Sequence, residues 1–219
     1  MISAVLFDFD GVVVQSEPLH MRTFLDMLEP YGVRVGEGRW YREFAGTGSR
    51  HIFEVLVSEY NLSLDVGLLV AKRKKAYEEK VRAGELREMP GVKEFIRLLK
   101  SREIRTAVVS GSHRTNVQAA LETLSMEGLF DMIVSGDDLA LRKPDPGPFL
   151  HAAQKLGIPP ARCLVIEDSN AGCVAARRAG MKLAWLKPPV DMPGQAADAV
   201  ISDFSGANLK KLENLLAGK

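Results

Sequence analysis

Five short apolar runs, each leading into a segment of helical spacing, limit what this chain can fold into more than any other feature. They are AVLFDFD (4–10), RTAVVSG (105–111), DMIVSGD (131–137), RCLVIED (162–168) and KLAWLK (182–187), with a weaker sixth, DAVISDF, at 198–204. Runs this short and this apolar suit strands covered on both faces, which is the condition of a parallel sheet. The intervening segments GVKEFIRLLKSRE (91–103), RTNVQAALETL (114–124), PGPFLHAAQKLG (146–157) and NAGCVAARRAG (170–180) carry the apolar period of amphipathic helices. The alternation predicts an α/β fold with a doubly wound, mainly parallel sheet and right-handed crossovers. Its ligand site is expected along the carboxyl ends of the strands.

One interval breaks the alternation. From about Gln15 to Arg87 the pattern offers only helix-like stretches, PLHMRTFLDML, SRHIFEVLVSEY and VGLLVAKRKKAYEEKV, separated by Gly-containing breaks at EPYGV, AGTGS and RAGEL. The expected organisation is a Rossmann-like core of residues 1–14 and 88–219, with residues 15–87 forming an α-helical domain inserted after the first strand. A chain of 219 residues with 46% apolar side chains has material for both. Its 29 basic and 28 acidic residues leave a formal charge of +1, which argues against nucleic acid or an anionic membrane as partner. A small phosphorylated metabolite stays open, because local charge can bind it. Two cysteines are too few for a disulfide framework. No signal-peptide pattern or bilayer-length apolar run is present, so a cytoplasmic protein is expected.

The notable polar residues fall at the carboxyl ends of the expected strands. Asp8 and Asp10 close the first, Ser110 the second, and Glu167 and Asp168 the fourth; Lys143 sits in RKPDPGPF ahead of the helix that precedes the fourth. Side chains alternate along a strand, so Asp8 and Asp10 would project to one side, about 7 Å apart on an extended chain. Carboxylates gathered in this way repel one another unless a cation joins them, and Mg²⁺ suits a site with few carboxylates, water and phosphate oxygens. Singly, each residue has an ordinary structural reading: a turn before Gly11, a Ser110–Gly111 helix cap, a solvated Lys143, an N-cap in the Glu167–Asn170 stretch. Their convergence on one sheet edge favours a shared pocket.

At these positions the chain resembles the haloacid dehalogenase superfamily. The family's DxDGxxxxSE motif is matched by Asp8, Asp10, Gly11, Ser16 and Glu17, its Ser/Thr motif by Ser110, its lysine motif by Lys143 in KPDP, and its acidic motif by Glu167–Asp168 in IEDSNAG. The helical insertion lies where one branch carries a cap, the branch with phosphoglycolate phosphatase, hexose-phosphate phosphatases and β-phosphoglucomutase. The resemblance implies a Mg²⁺-dependent phosphatase in which Asp8 is the nucleophile and forms an aspartyl-phosphate. Asp10 would act as acid and then base. Gly11, Ser110, Gly111 and Lys143 would hold the phosphoryl group. The metal would be held by Asp8, the Asp10 carbonyl and Asp168, with Glu167 as a ligand or as its support. Dehalogenases of the superfamily lack an acid two residues after the nucleophile, so Asp10 favours phosphate-ester over carbon–halogen chemistry.

Two other readings stay open. In a β-phosphoglucomutase-type enzyme, which has a histidine where His20 stands, Arg50 and Lys74 would be the insertion residues that meet a second phosphate, and each reads equally well as a solvated helix position; His20 would couple closure of the insertion to Asp10 or simply lie on a helix, and Glu17 is a further candidate. A phosphoryl-accepting receiver domain also places acids, a hydroxyl and a lysine at strand ends. Its phosphorylated aspartate belongs to the third strand, however, and it has no place for the helical insertion. The expected enzyme acts on a small phosphorylated metabolite, without nucleic acid or membrane partners, and is compatible with a monomer.

Overall fold

The structure, a computed structural model, describes residues 1–45, 47–187 and 196–218. Six strands form one all-parallel sheet: β1 (Ala4–Phe7), β2 (Arg105–Val109), β3 (Met132–Val134), β4 (Cys163–Glu167), β5 (Lys182–Leu186) and β6 (Ala199–Ile201), in the order β3-β2-β1-β4-β5-β6. β1 is central, with Phe7 level with Val108 on one side and Ile166 on the other. β2 and β3 lie on one side of β1 and, after the chain crosses over, β4 to β6 lie on the other, so the crevice expected of a doubly wound fold opens where β1, β2 and β4 end. All three strands are fully buried apart from Arg105.

The helices between these strands are α5 (Val92–Ser101), α6 (Arg114–Thr123), α7 (Gly147–Leu156) and α8 (Asn170–Arg178), and α9 (Gly206–Ala217) follows β6. Period-two alternation divides β1 between two cores. Ala4 and Leu6 join Phe149, Ala152, Ala176 and Trp185 on the side of α7 and α8. Phe7 faces the other way, with its ring centroid 6.1 Å from Phe95, 5.6 Å from Phe130 and 6.2 Å from Phe204.

The expected strand at 4–10 stops at Phe7. The cause is local: the Phe9 carbonyl accepts from the N–H groups of Val12, Val13 and Val14, and Gly11 takes a left-handed φ of +78°. Asp8 and Asp10 therefore leave the strand on a turn, and their carboxylates go to different partners. Residues Met1–Gln15 with Arg87–Lys219 form one compact unit and Ser16–Leu86 another.

The second unit contains α1 (Ser16–Leu28), α2 (Glu37–Glu43), α3 (Ser49–Glu59) and α4 (Val66–Arg82). Its core joins Phe24, Leu28, Trp40, Phe44, Phe53 and Leu56. The short α2, which the sequence pattern did not suggest, brings Trp40 into that core with 1% of its surface exposed. The expected break at AGTGS includes Gly46, which lies outside the described residues. No helix among the described residues is long and apolar enough to cross a membrane.

Candidate active site

Lys143 is the hub of the sheet-edge site. Its Nζ lies 2.5 Å from Asp8 Oδ1 and 2.7 Å from Glu167 Oε1, and donates to the Val109 carbonyl at 3.0 Å. The ammonium also stands 4.9 Å from the Phe149 ring centroid. One lysine thus ties together the ends of β1, β2 and β4. Each member of this group is withdrawn from water: Asp8 is 9% exposed and Glu167 not at all. Burial pushes the Asp8 carboxyl up to about 7; Lys143 opposes that shift, whereas the negative charges of Glu167 and Asp10 add to it. Burial opposes the charge on Lys143, but the two carboxylates outweigh it and hold the ammonium above its ordinary range.

Both oxygens of Glu167 are engaged. Oε1 meets Lys143, while Oε2 accepts from the backbone N–H of Ser169 at 2.8 Å and from its hydroxyl at 2.9 Å. Ser169 in turn caps α8 by accepting from the Gly172 N–H at 3.0 Å. A Cβ on Gly172 would stand 1.7 Å from Glu167 Oε1, so α8 approaches the carboxylate as closely as it does only because that position is glycine. Gly11 does the same for Asp168: a Cβ there would stand 2.0 Å from Asp168 Oδ2. The Gly11 N–H is bonded to the Val14 carbonyl at 2.8 Å, so this glycine shapes the site by conformation and closeness rather than by offering its amide to a phosphate.

Asp8, Glu167 and Asp168 each offer an oxygen within 4.8 Å of the others. An all-oxygen, all-carboxylate set of that size fits a hard divalent cation such as Mg²⁺. Because Glu167 already spends both oxygens on Lys143 and Ser169, Asp8 and Asp168 are the better ligands and Glu167 the better support.

The phosphate-binding candidates that follow β2 adjoin this cluster. Ser110 is 6% exposed, and its N–H donates to the Val134 carbonyl at 2.9 Å. Its Oγ accepts from the Ser112 N–H at 3.0 Å, which leaves the hydroxyl hydrogen to donate elsewhere. Asp10 points to this loop: its Oδ2 accepts from the Ser112 hydroxyl at 2.9 Å. Asp8, Asp10, Ser110, Lys143, Glu167 and Asp168 are thus gathered at one edge of the sheet. Ser112 belongs with them, although the sequence reading passed over it; its place two residues after Ser110 was the available signal.

The candidates in Ser16–Leu86 are arranged differently. Glu17 accepts from the Trp40 indole N–H at 2.9 Å. His20 stacks on Tyr77 with centroids 4.3 Å apart and meets the Arg73 guanidinium. Arg73, whose guanidinium carbon lies 4.8 Å from the Phe24 ring centroid and 4.9 Å from that of Tyr77, is the ordered cation beside His20. Arg50 has a 64% exposed side chain and only a 3.8 Å ion pair with Glu54, and Lys74 is exposed. The structure therefore brings neither of these two to His20. A Leu69–Arg73–Tyr77 stripe at four-residue spacing on α4 was the sequence signal for Arg73.

Residues 5–186 match the family model described as haloacid dehalogenase-like hydrolase. The chain is 31% identical over 232 residues to Protein CbbY of Rhodobacter capsulatus, covering 98% of this chain and 99% of the relative. It is 32% identical over 183 residues to a phosphorylated carbohydrates phosphatase of Thermotoga maritima, covering 83% of each. Among solved structures it is similar to CbbY from Rhodobacter sphaeroides in complex with phosphate, with a TM-score of 0.78, 26% identity, and coverage of 97% of this chain and 100% of that one.

Proposed function

The chain belongs to the haloacid dehalogenase-like hydrolases, and from that membership we propose that it is a Mg²⁺-dependent phosphatase of a small phosphorylated metabolite, a sugar phosphate or a phosphoglycolate-like acid, working through an aspartyl-phosphate. The observation that carries the reading is the Asp8–Lys143–Glu167 group: a buried carboxylate 2.5 Å from an ammonium that a second carboxylate holds in place. Even with Lys143 beside it, burial pushes the Asp8 carboxyl up to about 7. Lys143 favours its ionised form, which is the nucleophilic one.

In this reading Asp8 attacks phosphorus, and Lys143 neutralises charge on the nucleophile and the transferred group together. Ser110 donates its hydroxyl to a phosphoryl oxygen. Asp10 hands a proton to the departing alkoxide and later takes one from the water that attacks the aspartyl-phosphate. Asp8 and Asp168 would hold Mg²⁺, whose chemistry is to offset the repulsion between a carboxylate and a phosphate dianion. The helical unit would be the family's cap and select the substrate. The relatives support the substrate class: one is named a phosphorylated carbohydrates phosphatase and another, in Escherichia coli, a fructose-1-phosphate phosphatase. A cytoplasmic setting goes with this reading, and the free, buried thiols of Cys163 and Cys173 suit a reducing compartment.

A panel of phosphorylated sugars and short phosphorylated acids, assayed for free phosphate with and without Mg²⁺, tests the proposal. Phosphate release from part of the panel, dependent on Mg²⁺ and lost in Asp8→Asn, is expected. Normal release by the purified Asp8→Asn protein contradicts it. β-Glucose 1-phosphate with a trace of the 1,6-bisphosphate separates the mutase: accumulating glucose 6-phosphate in place of free phosphate would establish that activity instead.

A further inference from the structure

The two acids at the end of β4 are fixed by different means. Glu167 is the last residue of the strand, level with Trp185 of β5, and both of its carboxylate oxygens are engaged. Asp168 lies one residue beyond that pairing, where the ladder no longer holds the chain. The tie comes instead from a side chain: the Trp185 indole Nε1–H donates to the Asp168 carbonyl at 3.1 Å. One residue of β5 thus stands level with Glu167 through its backbone and reaches Asp168 through its indole.

Trp185 is itself held fast. It is 3% exposed and belongs to the core shared by Leu6, Val165, Cys173 and Leu183 on the α7 and α8 side of the sheet. A large ring in a close-packed core has little freedom to follow a wandering carbonyl. From another direction, Gly11 lets the turn after β1 come so near that a Cβ there would stand 2.0 Å from Asp168 Oδ2. Ser169, next along the chain, spends its N–H and hydroxyl on Glu167 Oε2. The backbone is therefore pinned before, at and after Asp168, which sets where its carboxylate stands relative to Asp8.

We propose that Trp185 is the positioning residue of Asp168: its indole N–H holds the Asp168 peptide so that the carboxylate meets a divalent cation together with Asp8. The inference rests on the reading of Asp8 and Asp168 as the Mg²⁺ ligands, whose oxygens lie with that of Glu167 within 4.8 Å of one another. A metal site gains affinity when its ligands already stand where the cation needs them, because binding then carries a smaller ordering cost. Tryptophan suits this task. Its indole fills the core and offers one donor and no acceptor, so it satisfies the carbonyl without bringing in a group that competes for the metal. Phenylalanine would fill much of the same space and leave the carbonyl without that donor.

The test measures metal binding without substrate, with free Mn²⁺ counted by its electron-spin signal and Mg²⁺ by its displacement of Mn²⁺. Trp185→Phe, Leu183→Val and Asp168→Asn are compared with the unmodified protein, each with its thermal melt. Leu183→Val trims the same core from the same strand without removing a hydrogen bond. Loss of the indole donor should weaken both ions roughly tenfold in Trp185→Phe, and excess Mg²⁺ should then restore phosphate release. Leu183→Val should keep the unmodified affinity whatever its melt shows, and Asp168→Asn should lose binding. Trp185→Phe with the unmodified affinity, or with no greater loss than Leu183→Val, makes the indole core filling alone. That result overturns the proposal, and the ligand reading stands if Asp168→Asn still loses binding. Unimpaired binding by Asp168→Asn instead removes Asp168 as a ligand, and the proposal falls with it. The unmodified protein decides the matter even if Trp185→Phe does not fold. Its sequence has two tryptophans, and the Trp185 indole N–H resonance, assigned with Trp40→Phe, should shift over the Mg²⁺ range in which the ion binds. A Trp185 signal that ignores bound Mg²⁺ overturns the proposal.

Discussion

Replacing Lys143 with methionine keeps most of the side-chain volume and deletes the one ammonium between Asp8 and Glu167. The lysine side chain is 14% exposed, that of Asp8 13% and that of Glu167 0%, so little water can take the ammonium's place. Removing one partner from a buried ion pair typically costs about 3–5 kcal/mol, because the surviving charge is left uncompensated. In a chain of this size each kcal/mol lowers Tm by about 2–4 °C, so a fall of about 6–20 °C is expected. The loss must also depend on pH in a defined direction. Asp8 already titrates near 7 in the folded protein against 3.8 for an unperturbed group, chiefly through burial, and Lys143 is the strongest influence holding it down. Without that lysine the folded carboxyl rises further. Between the unfolded value and the raised folded one, the folded state binds more protons than the unfolded state, so stability falls as pH rises. Thermal melts in EDTA should therefore show a larger deficit for Lys143→Met at pH 8 than at pH 5.5. Added Mg²⁺ should recover part of it by supplying a cation to Asp8 and Asp168. A deficit that is absent, or that grows as pH falls, would refute the charge-compensation argument.

Gly172→Ala puts a methyl 1.7 Å from Glu167 Oε1, and that carboxylate is anchored by Lys143 and Ser169, so relief must come from moving it or α8; a loss of about 1–3 kcal/mol in urea unfolding, with weakened phosphatase activity, is expected. Asp138, bonded to Arg114 at 2.7 Å and to the Ser135 N–H at 2.6 Å, is lowered to about 2, first by the Arg114 hydrogen bond. Its contribution is full above the unfolded value near 3.8 and is lost as pH falls towards 2, so Asp138→Asn should cost about 1–2 kcal/mol at pH 6 and progressively less below pH 4; a constant difference across that range would contradict the assignment.

Much of the fold was legible because buried parallel strands and amphipathic helices write different periods into a sequence. VLF, AVV and LVI have no polar alternation, and all lie within β1, β2 and β4. The ends of the elements were less legible. DFD continues the apolar–polar rhythm of a strand, yet the left-handed Gly11 and the shared Phe9 carbonyl turn the chain after Phe7. At the site, residues fixed by strand ends could be found from spacing. Ser112 was harder to find, because its place two residues after Ser110 does not by itself show that its side chain reaches Asp10 from another loop. The run of basic residues at 72–75 fails for a related reason: charge alone does not say which member turns inward, and Arg73 does so on the stripe of Leu69 and Tyr77, beside His20.

The account turns on Asp8 as the group that receives phosphorus. The direct measurement is to quench the Mg²⁺-loaded enzyme during turnover, reduce with borohydride, and locate by mass spectrometry the aspartate converted to homoserine. Conversion at position 8, dependent on substrate and Mg²⁺ and absent at Asp10, is the predicted result. Turnover with no reduced aspartate, or with conversion at any other residue, would contradict it.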